Sequence, residues 1–101
     1  MRHESFTLEV PGSAGVGTGK NVDRHVGKIV QFGGSAWNTV TADVEGTVDG
    51  TNWKKIGSTV NAVGGVVEVG DTAWLKLRVN LLTYTSGTVT ATFAGFDTRS
   101  T

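Results

Sequence analysis

The 101-residue chain has no cysteine, so it forms no disulfide, offers no thiolate nucleophile and cannot hold zinc through sulfur. Its stability has to come from apolar burial, and a domain of this length buries roughly two-thirds of its unfolded surface. It lacks an excess of either charge: nine basic and nine acidic residues give a formal net charge of +0. That balance provides no general attraction for nucleic acid or an anionic membrane surface, and neither is expected as a partner. No apolar run approaches the roughly 20 residues of a membrane helix. The first residues, MRHESFTLEV, lack the apolar segment of a secretory leader, so the expectation is a chain made soluble in the cytosol. Helical spacing is missing too. No stretch repeats apolar residues at i, i+3, i+4 and i+7 among helix formers.

What the chain has is 15 glycines, a single proline and many threonines and valines. Threonine and valine are stiff at χ1 and suit a pleated strand better than a helix. Glycine ends strands and permits tight turns. The profile is one of many short antiparallel strands.

Residues 1–25 read as an N-terminal arm and 26–101 as the folded domain. Within the arm, Ser5 to Val10 is a candidate strand, followed by the glycine-rich stretch Pro11 to Gly19, which has too few side chains to build a core. Phe6, Leu8 and Val10 alternate, and an exposed alternating segment is a pairing hazard. These three are therefore candidate partner-binding residues, expected to add to a sheet edge of their own domain, a sister protomer or another protein.

From Val26 the strand signals are regular. Val26 to Phe32 carries Val26, Ile29, Val30 and Phe32 and is expected to break at Gly33-Gly34. Asn38 to Val48 alternates: Val40, Ala42, Val44, Gly46 and Val48 share one face, and Thr39, Thr41, Asp43, Glu45 and Thr47 the other. Asp49-Gly50-Thr51-Asn52 is a turn signal, with Trp53 to Ile56 returning. Gly65 to Val69, Ala73 to Leu82 and Thr88 to Phe96 complete the set, with Leu75, Leu77, Val79, Leu81, Val89, Ala91 and Phe93 inward. About six to eight strands of this kind predict an all-β fold, an antiparallel sandwich with jelly-roll or immunoglobulin-like Greek-key connections.

Motifs that suggest chemistry fail on inspection. Gly15-Val16-Gly17-Thr18-Gly19-Lys20 has the look of a phosphate loop, but Ala14 stands where the first glycine belongs and Asn21 where Ser or Thr belongs. Glu45, Thr47 and Asp49 lead into Gly50 as in a calcium loop, but the closing bidentate Glu would fall on Ile56. His3 and His25 are the only imidazoles, with no third ligand at a usual spacing. No catalytic residue, metal or cofactor is expected, and the chain is expected not to be an enzyme. Trp74 falls on the face of Lys76 and Arg78, opposite Leu75 and Leu77. An outward Trp favours an interface, so Trp74 and Arg78 join the candidate partner-binding residues, unless the arm or strand-edge packing covers the ring. Trp53, just after a turn, is expected to cap the core.

Three segments taken together carry a resemblance: Val44 to Trp53, with its Asp-Gly-Thr-Asn-Trp hairpin; Trp74-Leu75-Lys76-Leu77-Arg78-Val79; and Tyr84-Thr85-Ser86-Gly87-Thr88-Val89-Thr90-Ala91. Across residues 38–96 the chain resembles the small β-sandwich virion proteins of tailed bacteriophages. The resemblance implies a capsid decoration (cement) protein or a head or tail accessory protein. It implies the major capsid protein or other virion proteins as partners and a homo-oligomer, with a trimer favoured. It also implies a final location on the virion after synthesis in the bacterial host cytoplasm. The alternative is a carbohydrate-binding module or tail-associated adhesion domain, because the hairpin also resembles one in discoidin-type modules. Trp37, Trp74 or Tyr84 would then stack on sugar rings.

Overall fold

The alternating segments pair into nine strands in a computed structural model that describes residues 2–98; among these residues no helix is present. In chain order the strands are β1 (Arg2–Leu8), β2 (Gly15–Val16), β3 (Lys20–Asn21), β4 (His25–Asn38), β5 (Thr41–Thr47), β6 (Lys54–Val60), β7 (Val66–Gly70), β8 (Lys76–Thr83) and β9 (Ser86–Asp97). One sheet has the order β1-β9-β4-β7. The other has the order β2-β8-β5-β6, with β3 also on β8. Every pairing is antiparallel.

The pairings β1–β9, β2 and β3–β8, β4–β7 and β5–β6 are nested. The chain is thus one long hairpin, with its tip at the turn after β5, doubled over so that alternate limbs fall in opposite sheets. This is the jelly-roll connection, one of the two arrangements expected. The dry faces meet between the sheets. Leu8, Val30, Phe32, Ala91 and Phe93 face Ala42, Val44, Leu77, Val79 and Leu81, all at 1 % exposure or less.

The glycine-rich arm is not seen as a separate piece. Residues 2–21 supply an edge strand to the first sheet through β1 and short pairings to the second through β2 and β3. The reason is register. With Phe6 opposite Phe93 and Leu8 opposite Ala91, the alternation of β1 points its large side chains into the core. The break expected at Gly33-Gly34 does not occur either. β4 runs on to Asn38, with Gly33 opposite Thr90 and Gly34 opposite Val89. Its register against β9 slips before Ile29 and again between Ser35 and Asn38, where Ala36 adopts a positive φ. The outward face of β5 is drier than its pattern suggests, since Asp43 is buried and Thr47 fully so. Val48, expected inward, lies past the strand end and is 65 % exposed.

Candidate binding surfaces

Of the residues expected to meet a partner, Phe6, Leu8 and Val10 are turned inward. The Phe6 ring stacks on Phe93 at 4.6 Å, Leu8 is buried, and Val10 packs against the core. Their edge is the chain's own sheet, one of the three possibilities for the segment. Trp74 also faces in. β8 starts at Lys76, so the alternation that put Trp74 outward does not reach it. Its ring packs over Gly46: a Cβ there would lie 2.7 Å from the indole and 2.8 Å from Ile56. Arg78 is outward as expected, but engaged. Its Nε donates to Glu45 Oε1 at 2.8 Å, and its guanidinium lies 4.1 Å from the centre of the Trp53 ring. Trp53 is thus not a core cap. It lies on the outer face of the second sheet and covers Gly19. Trp53 rather than Trp74 is the outer indole, because both tryptophans sit just outside strands, where period two stops applying.

The other aromatic candidates are also held. Trp37 Nε1 donates to the Thr88 carbonyl at 2.9 Å with its ring against Phe32, and Tyr84 Oη donates to the Gly87 carbonyl at 2.7 Å. The Gly15–Lys20 stretch is fastened rather than open. Gly17 N donates to Val79 O, and Thr18 gives both its N–H and its hydroxyl to Glu9 Oε1. Those bonds, the Thr18 N–H first, hold the Glu9 carboxyl below its ordinary pKa. An ionised carboxylate there opposes a bound phosphate.

Tertiary structure supplies the partners of His25. His25 begins β4, opposite Asp97 on β9, and β1 brings Glu4 alongside. The imidazole Nε2 is 2.6 Å from Glu4 Oε1, and the ring is edge-on to Phe6 and Phe93. Arg24 Nε donates to Asp97 Oδ2 at 2.9 Å, with Arg24 also 3.9 Å from Glu4. Ligand-type atoms of Glu4, His25 and Asp97 gather within 4.8 Å, and the Arg24 guanidinium bridges the two carboxylates. The arrangement is an ion-pair clasp tying three strands at one end of the first sheet. The bulge before Ile29 turns Lys28 inward, where its Nζ donates to the His25 carbonyl. Burial lowers the Lys28 pKa, with Asp71 opposing.

The two outer faces differ in kind. On the second sheet, Arg78 and Asn80 bond Glu45, while Thr59 and Lys55 reach Asp43: a polar, charged lattice. On the first sheet the outward rows run His3–Phe96–Val26, Ser5–Ala94–Ile29–Glu68 and Thr7–Thr92–Gln31–Val66. The centre of that face is uncharged. Phe96 is 43 % and Val66 47 % exposed, and Val26, Ile29 and Ala94 are half-buried beside them.

Fold and surfaces together define a two-sheet antiparallel sandwich that presents one charged and one neutral face. No family model and no curated protein matches the chain. In fold it is similar to the SPBc2 prophage-derived protein YomS, known from a crystal structure, with a TM-score of 0.76 and 16 % sequence identity over 92 % of this chain and 91 % of that one.

Proposed function

We propose that this chain is a structural protein of a bacteriophage particle, acting by binding rather than catalysis. Within that class we propose a capsid decoration protein that attaches to the major capsid protein and stabilises the head. The observation that carries the reading is the likeness of nearly the whole fold to a prophage-derived protein. The physical character of the chain agrees with it. A jelly-roll whose glycine-rich segment is bonded down onto β8 is a rigid block rather than a flexible linker. Rigid blocks suit repeated attachment to a lattice, where many modest contacts add to high total affinity. The carbohydrate reading has less support, because Trp37, Trp74 and Tyr84 are turned to the core or bonded to backbone and form no open stacking platform.

The test is occupancy of particles. Phage particles purified from cells that express the gene should contain the protein in stoichiometric amounts by quantitative mass spectrometry. Purified protein should co-sediment with particles that lack it and raise their resistance to heat. Particles free of the protein, with no rebinding, would remove the reading.

A further inference from the structure

We infer that the outer face of the β1-β9-β4-β7 sheet is a self-association surface, on which a second copy of this chain packs face to face about a two-fold axis. A sheet face meant for water carries polar and charged side chains, as the second sheet does with Asp43, Glu45, Lys55 and Arg78. The outer rows of the first sheet are polar in part, through Ser5, Thr7, Gln31 and Thr92, but almost without charge. Along β9 the outward residues are Thr88, Thr90, Thr92, Ala94 and Phe96, without a charge among them. Phe96 is a preset anchor: its ring meets His3 edge-on at 5.6 Å, and a Cβ on Gly27 would lie 3.4 Å from it. A braced aromatic ring loses little freedom on binding.

Polar groups at the two rims select both the occupant and the axis, since an imidazole N–H can donate to a carboxylate. The three outward rows contain two ionisable residues, His3 on the β1 edge and Glu68 on the β7 edge. A two-fold axis in the interface, parallel to the strands, lays β1 of one copy over β7 of the other. His3 then approaches Glu68 of the second copy at both rims, with an offset of about one outward row, or roughly 7 Å along the strand. An in-plane axis across the strands would instead bring Glu68 near its own mate, two like charges. The face is therefore complementary to itself in one orientation. Four strands about 4.8 Å apart, each with about seven residues in the face, offer roughly 450 Å² of flat area per copy. That lies at the low end for specific contacts and fits a reversible dimer. Such a contact closes at two copies, so the trimer implied by the virion-protein resemblance would need a different surface.

Sedimentation velocity on the full chain across a concentration series tests this. The expected result is a monomer–dimer equilibrium. A monomer at every concentration, or a trimer, overturns the inference. Phe96→Glu and Ile29→Lys should weaken dimerisation about tenfold or more. Val66→Lys, at a more exposed position, should do the same with an unchanged melting temperature. His3→Glu and Glu68→Lys should each weaken the dimer, and the double variant should restore it. A dimer insensitive to Phe96→Glu and Val66→Lys rules out this face, and a double variant that stays weak rules out this axis. Particle binding, measured separately, distinguishes this inference from the proposed function: a dimer that binds no particle sinks only the latter, and a strict monomer that binds particles sinks only the former.

Discussion

At the scale of single residues, close packing and local hydrogen bonds decide what each position tolerates. Gly46 exists because the Trp74 ring lies on it. Gly46→Ala should cost about 1–3 kcal/mol, measured by urea titration, since a Cβ there would lie 2.7 Å from the indole and 2.8 Å from Ile56 and one of them must shift. An unchanged midpoint would mean that Trp74 lies elsewhere. Asp49 organises the turn after β5. Its carboxylate accepts from Asn52 N–H, Thr51 N–H, Asn52 Nδ2 and the Thr47 hydroxyl, and these bonds hold its pKa well below the ordinary carboxylate range. The folded pKa is depressed, so the stabilisation is complete above the unfolded value of 3.8 and is lost as pH falls below it. Asp49→Asn keeps an acceptor but removes the charge. Its melting temperature should fall less steeply than that of the parent between about pH 4 and pH 2. An equally steep fall would assign the acid sensitivity to other groups. Gly50, at φ 82°, should lose about 1–2 kcal/mol on change to Val, through backbone strain alone, as only Leu75 Cδ2 lies near.

At the scale of elements, β1 is the strand whose role changed most between sequence and structure. Treated as an arm, it would be dispensable. Placed beside β9, it puts Phe6 on Phe93, buries Leu8 and brings Glu4 to His25. Leu8→Ala should cost about 2–5 kcal/mol. Removing residues 1–8 takes both apolar side chains and the pairing of a whole strand. The loss is comparable with the total stability of about 5–15 kcal/mol of a small domain. The truncated chain is therefore expected to melt far below the parent or fail to fold, read by circular dichroism. A truncated chain that melts with the parent would restore the arm.

At the scale of the whole molecule, the nested hairpin makes folding a matter of loop closure. β5 and β6 are joined by the Asp49 turn, whereas β1 must find β9 across nearly the full chain. Loop-closure entropy favours the inner pair first, and the many non-local pairings place folding in the millisecond-to-second range. Gly50→Val should therefore mainly slow refolding, and Leu8→Ala mainly speed unfolding, in stopped-flow chevrons. The reverse pattern would mean that the chain ends pair early.

Period-two alternation determined the all-β class, the strands around residues 41–47, 76–83 and 86–97, and the inward residues Val44, Leu77, Val79, Leu81, Ala91 and Phe93, because alternation is local and each strand has one core face. The turn at Asp49-Gly50 was legible for the same reason: its chemistry lies within four residues. Only the tertiary structure decided what depends on residues far apart. Phe6 and Leu8 became core when β9 arrived beside them, and Trp74 turned inward because Gly46 left it room. His25 acquired partners from both ends of the chain. The neutral face of the first sheet exists only once β1, β9, β4 and β7 lie side by side, since no single strand spells it.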